Sequence, residues 1–136
     1  MQNLTIEATK RTPAIHFDFE KHQLSLAGES YPEDVNQFHG QVISALESYL
    51  AKTNNQAIQI NFDLLYFNSS SAKALIRIFD MLDETAAHNK VSIHWMHEID
   101  DDNIAELGEE FGEDLTNAHF QLVIKSSPEV SERVNE

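Results

Sequence analysis

The chain of 136 residues is sized for one domain, and its 41% hydrophobic and 24% charged residues describe a polypeptide able to bury a core. Nine basic residues against 23 acidic ones leave a formal net charge of −14, which argues against nucleic acid or an anionic membrane as partner, because neither phosphate surface would be neutralised. The absence of cysteine excludes disulfides, thiol catalysis and thiolate metal sites. No apolar run approaches the ~20 residues of a membrane span, and Met1-Gln2-Asn3-Leu4-Thr5 lacks the basic and apolar segments of a secretory leader, so a cytoplasmic protein is expected.

The first third reads as strands. Leu4 and Ile6, then Ile15, Phe17 and Phe19, then Leu24 and Leu26 alternate with polar residues, which places one face of each strand on a core. Glu20-Lys21-His22 is short enough to close a hairpin between the second and third. Gly28 to Asp34 reads as a helix start, with Pro32 in the first turn and Glu33 and Asp34 at the positive dipole end. Val35, Phe38, Val42, Ile43, Leu46, Tyr49 and Leu50 then recur at three and four, predicting an amphipathic helix from about Pro32 to Lys52 that carries Gly40 inside it.

Ala57 to Asp63 alternates again, and Leu64 to Phe67 prolong the apolar stretch up to Asn68-Ser69-Ser70-Ser71. Ala72, Leu75, Ile76, Phe79, Leu82 and Ala86 predict a second helix from about Ser71 to His88. A strand through Val91, Ile93 and Trp95, a third helix through Ile104, Leu107 and Phe111 behind capping candidates Asp100 to Asn103, and a strand through Phe120, Leu122 and Ile124 complete the order β-β-β-α-β-α-β-α-β. Strands alternating with helices imply an α/β domain over residues 1–125, whose mixed sheet opens with an antiparallel hairpin and carries helices packed on it. Residues 126–136, polar and containing Pro128, read as a tail.

Four constellations bear on chemistry. Asn68-Ser69-Ser70-Ser71 sits between strand and helix, where serines either cap the helix or present a hydroxyl for modification beside N–H groups that favour an anion. His94 and His97 with Glu98, Asp100, Asp101 and Asp102 fall at a strand end rather than on one helix face, and the stretch from Asp100 fails the calcium-loop pattern, with Ala105 and Phe111 at its sixth and twelfth positions. No Gly-x-Ser-x-Gly elbow and no glycine-rich phosphate cradle occurs; neither catalysis, a metal nor a cofactor is expected. Glu98 to Asp114 carries nine acids and no lysine or arginine, a solvated face or a docking surface for a basic partner. On the second helix Lys73 and Arg77, four apart, are expected to share an exposed side next to Ser69.

The segment Leu64-Leu65-Tyr66-Phe67-Asn68-Ser69-Ser70-Ser71-Ala72-Lys73-Ala74 resembles the phosphorylation segment of STAS-domain anti-anti-sigma factors, and more closely that of the SiaC-like biofilm-regulating phosphoproteins. Thr12-Pro13, Leu24-Ser25-Leu26-Ala27-Gly28-Glu29-Ser30-Tyr31-Pro32-Glu33-Asp34 and Ala105-Glu106-Leu107-Gly108-Glu109-Glu110-Phe111-Gly112-Glu113-Asp114 are similar to further segments of that branch, so the resemblance spans about residues 4 to 124. It implies a STAS-like fold and a switch protein without catalysis. A cognate Ser/Thr kinase would phosphorylate it at Ser69, flanked by Asn68, Ser70 and Ser71, and a PP2C-type phosphatase would reverse this. The unphosphorylated form would bind and activate a diguanylate cyclase, with Tyr66, Lys73 and Arg77 as the expected partner-binding residues. The alternative is a classical anti-anti-sigma factor acting on an anti-sigma kinase; Asn68 stands where that class has aspartate, and Ser71 where it has glycine.

Overall fold

Alternating apolar residues carry six strands into one sheet, with the short N-terminal strand at one edge. In the computed structural model, which describes residues 2–125, the strands are β1 (Leu4–Ile6), β2 (Ala14–Asp18), β3 (Gln23–Ser30), β4 (Ala57–Phe67), β5 (Lys90–His97) and β6 (His119–Ile124). The helices are α1 (Val35–Ala51), α2 (Ser69–Thr85) and α3 (Asp102–Glu113). The tail expected at 126–136 lies outside the described residues.

Strand order is β1-β2-β3-β4-β5-β6, antiparallel from β1 to β3 and parallel from β3 to β6. Each parallel step moves the same way across the sheet and carries one helix. Right-handed crossovers therefore put all three helices on one face, where α1 packs on α2 and α2 on α3. The core lies between the layers: Leu24 and Leu26 of β3, Ile58, Ile60 and Phe62 of β4, and Val91, Ile93 and Trp95 of β5 meet Val42, Leu46, Leu75, Ile78, Phe79 and Leu82. The intervening Ser25, Gln59, Asn61, Ser92 and His94 occupy the opposite, half-exposed face.

The element order matches the sequence expectation, and the departures lie at boundaries. β3 does not stop near Leu26. Gly28, at φ +123°, pairs with Leu64 and Glu29 with Tyr66, so β4 carries one extra residue, Leu65, and past this bulge β3 runs on until Ser30 pairs with Phe67. The expected helix start at Pro32 is therefore displaced: Pro32 is buried between strand and helix, and Asp34 caps α1 by accepting from the Gln37 N–H at 3.0 Å. Gly28 lies against Pro13, its ideal Cβ position 3.5 Å from the Pro13 Cα, so two separate sequence motifs meet in space.

Glycine is sterically required elsewhere than at Gly40, whose Cβ position faces open space. A Cβ at Gly108 would lie 2.3 Å from the Trp95 indole, and one at Gly112 2.7 Å from the Phe120 ring. These two positions let α3 lie flat on β5 and β6. Asp101 caps α3 through the Ile104 N–H at 3.1 Å, and the buried Trp95 indole N–H donates to the Ile104 carbonyl at 2.9 Å. Behind α3, the Asp83 carboxylate accepts the backbone N–H groups of Thr116, Asn117 and Ala118 and fixes the approach to β6.

Candidate functional site

At the C-terminal end of β4 the chain turns straight into α2. Asn68 is the cap: its side-chain oxygen accepts from the Ser71 N–H and from the Ser70 hydroxyl, each at 3.0 Å, while its own N–H donates to the Ser30 carbonyl at 3.2 Å. The three serines thus occupy the first turn instead of preceding it, and α2 starts two residues before the expected Ser71. Sequence reasoning gave the capping role to the serines; the structure gives it to Asn68, whose carbonyl-bearing side chain reaches the third helical N–H.

The serines differ in what surrounds them. Ser71 is 1% exposed, and its hydroxyl donates to the Ser30 carbonyl at 2.8 Å. With that proton committed, the Ser71 oxygen accepts from the Ser30 hydroxyl at 2.8 Å and from Nε2–H of His39 at 3.2 Å, which assigns that tautomer to His39. Burial lowers the His39 pKa, so the ring is neutral at pH 7. Ser71 is therefore a tie between β3, α1 and α2, not a cap. Ser70 is half-buried and spends its hydroxyl on Asn68. Ser69 is exposed, and among the described residues its hydroxyl makes no hydrogen bond. The N–H groups of Ser69 and Ser70 have no intrahelical carbonyl to pair with, as in the first turn of any helix. The arrangement holds one free hydroxyl beside unpaired donors at the positive end of a 17-residue helix.

The strand and helix that meet at this turn carry exposed apolar side chains and two exposed cations. Leu65 and Tyr66 at the end of β4 are 52% and 50% exposed, and Ile76 on α2 is 48% exposed. The Tyr66 ring meets Tyr31 edge-on at 5.7 Å, which holds it upright beside the turn. Lys73 lies one turn along α2 from Ser69 on the same exposed stripe, and no ion pair engages it among the described residues. Arg77 is also exposed, but its guanidinium pairs with Glu47 of α1 at 3.1 Å. Of the two cations expected to flank Ser69, Lys73 is available and Arg77 is already tied across to α1.

The other candidates disperse. His94 bonds Asn61 across the open sheet face at 3.1 Å, whereas His97, an odd number of residues further along the same strand, bonds the Glu98 carbonyl at 2.7 Å. The two rings are not brought together. The acids of α3 form a solvated outer face. Sequence reasoning missed Ser30 and His39 as parts of the site. Ser30 was legible only as a possible helix start, and His39 had no pattern to mark it, because the contacts of both depend on how β3, α1 and α2 come together in space.

Known proteins share this fold and much of this sequence. A family model described as "SiaC family regulatory phosphoprotein" matches residues 6–125. An uncharacterized protein of Pseudomonas aeruginosa strain UCBPP-PA14 is 40% identical over 130 residues, covering 95% of this chain and all of that one. The crystal structure of apo-SiaC from Pseudomonas aeruginosa superposes with a TM-score of 0.81 at 39% identity, over 90% of this chain and 99% of that chain. A chain in the crystal structure of the diguanylate cyclase SiaD in complex with its activator SiaC, from the same organism, gives 0.83 at 37% identity over 90% and 99%. Sheet order, the turn into α2 and the match along nearly the whole chain lead to one assignment: this chain belongs to the SiaC family of regulatory phosphoproteins.

Proposed function

We propose that the chain is a non-catalytic switch whose unphosphorylated form binds and activates a diguanylate cyclase, raising cyclic di-GMP and favouring biofilm growth, and that phosphate on Ser69 turns it off. A cognate Ser/Thr kinase adds the phosphate and a PP2C-type phosphatase removes it, in the cytoplasm; residues 1–125 act as one domain in this exchange. The observation that carries the reading is the sorting of three adjacent hydroxyls: Ser71 is buried and bonded, Ser70 is bonded to the cap, and Ser69 is exposed and unengaged. The related SiaC, found in complex with SiaD as its activator, supports a cyclase as the partner.

Physical chemistry supplies the switch. A phosphoserine adds about −1.5 to −2 charges and three acceptor oxygens. At the start of α2 that charge is matched by unpaired N–H groups and the helix dipole, with Lys73 one turn away, so the fold tolerates it. A partner seated on Leu65, Tyr66 and Ile76 across the turn does not, since it would have to desolvate the phosphate without a matching cation. Incubating the chain with its kinase and ATP, followed by mass spectrometry of the tryptic peptides, tests the acceptor: phosphate is expected on Ser69 and lost in Ser69→Ala. Phosphate on Ser70 or Ser71 would overturn the assignment.

A further inference from the structure

The outer face of α3 and the free edge of β6 form a second surface, distinct from the turn at Ser69. β6 ends the sheet, and no strand pairs its outer side among the described residues. Beside it runs an open groove floored by Phe120 and Leu122 and walled by Glu106, Glu109, Glu110 and Glu113 of α3. The four carboxylates recur at three and four, so they form one stripe along the strand. All four are exposed, and none has an ion partner among the described residues. A strand edge left open is a template for another strand, and proteins usually guard such an edge with lysine, proline or a bulge. Here the flanking charge is all of one sign, which repels some partners and selects others.

We propose that this groove takes an extended, lysine- or arginine-rich segment of a partner protein by strand addition to β6. Its backbone would extend the sheet, the aliphatic stems of its basic residues would cross Phe120 and Leu122 on the helix side to reach the glutamates, and the alternate apolar side chains would lie on the other face, beside Val123. Charge decides among occupants. A second copy would bring another net −14 and the same glutamate stripe against the first. The chain's own residues 126–136 carry Glu129, Glu132 and Glu136 against a single Arg133, so they too have the wrong sign. A cationic segment fits both the backbone edge and the wall.

The test uses the full chain and a fluorescein-labelled ten-residue peptide of alternating lysine and valine. The control is the alternating lysine–proline peptide, equal in charge but lacking half of the backbone donors. The lysine–valine peptide is expected to bind at least about tenfold tighter than the control. Binding should weaken by at least about tenfold in the variant Glu106→Gln/Glu109→Gln/Glu110→Gln/Glu113→Gln, which leaves Ser69 untouched, and should slow amide exchange across residues 119–124. Equal binding of the two peptides would reduce the surface to undirected charge. Unchanged binding in the glutamine variant, or protection away from β6, would overturn the site. Amides of β6 already protected in the free chain, or a dimer whose dissociation frees them, would show the edge to be occupied by the tail or by a second copy and would overturn the proposal, as would absence of binding.

Discussion

Replacing Ser71 by alanine removes one oxygen atom from the junction of β3, α1 and α2, and the cost can be followed partner by partner. The Ser30 carbonyl loses a 2.8 Å donor but keeps the Asn68 N–H at 3.2 Å, so it is not orphaned. The His39 ring, only half-buried, can turn its Nε2–H to water. Ser30 is 5% exposed and, among the described residues, Ser71 is the one partner of its hydroxyl, so that hydroxyl is left stranded. One stranded buried hydroxyl costs about 1–3 kcal/mol. For a domain of this size each kcal/mol moves Tm by about 3–5 °C, so a fall of roughly 5–10 °C is expected, with a lower urea midpoint and an unchanged m-value. Ser69→Ala, at an exposed and unbonded hydroxyl, should stay within about 0.5 kcal/mol of the parent. The double variant Ser30→Ala/Ser71→Ala should cost less than the two single changes summed, because neither group is then left without its partner. Urea titrations of the parent, Ser69→Ala, Ser30→Ala, Ser71→Ala and the double variant decide the matter. Ser71→Ala as stable as the parent, or Ser69→Ala as damaging as Ser71→Ala, would refute the sorting of the serines on which the switch rests.

Gly108→Ala forces a methyl group to within 2.3 Å of the Trp95 ring, and overpacking of this kind should cost about 1–3 kcal/mol or more with a changed tryptophan near-ultraviolet signal; an unchanged spectrum and midpoint would show that α3 lifts off the sheet freely. Partial burial alone would raise the Asp83 pKa, but the hydrogen bonds from Ala118, Asn117 and Thr116 together lower it below the ordinary carboxylate value. Its contribution to stability is therefore present above the unfolded pKa and is lost as pH falls through the folded one. Asp83→Ala should lower the urea midpoint at pH 7 and flatten the loss of stability below pH 4, and an unaltered acid limb would remove this role. The His39 pKa is lowered from 6.5 by burial, so the unfolded chain binds the proton first. Stability should fall as pH drops below about 6.5, until the folded ring takes up its proton, and less so in His39→Gln; parallel pH profiles of the two chains would contradict the neutral, bonded ring.

The architecture was legible in the sequence because period-two and period-3.6 patterns report directly on which face is buried. Ile58, Ile60 and Phe62, or Leu75, Phe79 and Leu82, admit one reading each. The boundaries were less legible where a bulge or a cap intervened. Leu65 is the extra residue of the bulge between β4 and β3, and inside the apolar run Leu64 to Phe67 nothing in the sequence marks which residue is left unpaired. Asn68 and the serines all belong to the capping class, so only geometry separates the residue that caps from those that follow it. Ser69 was reached through resemblance to a family segment; the burial of Ser71 and its bond to His39, 32 positions away in the chain, are tertiary facts with no local signature. The same holds for the pairing of Arg77 with Glu47 and for the groove beside β6, which require the helices to be placed on the sheet.

The central claim is that one phosphate on Ser69 separates the active from the inactive chain. The most direct measurement is a titration of the cognate diguanylate cyclase with three forms, namely unmodified, Ser69-phosphorylated and Ser69→Ala, reading affinity by calorimetry and cyclic di-GMP formation in parallel. Desolvating a phosphate of about two charges at the partner face costs several kcal/mol, and each 1.4 kcal/mol is about tenfold in affinity. The account predicts equal binding and activation by the unmodified and Ser69→Ala chains, and binding weakened by about a hundredfold or more with no activation by the phosphorylated chain. Equal affinity of the phosphorylated and unmodified forms would contradict it.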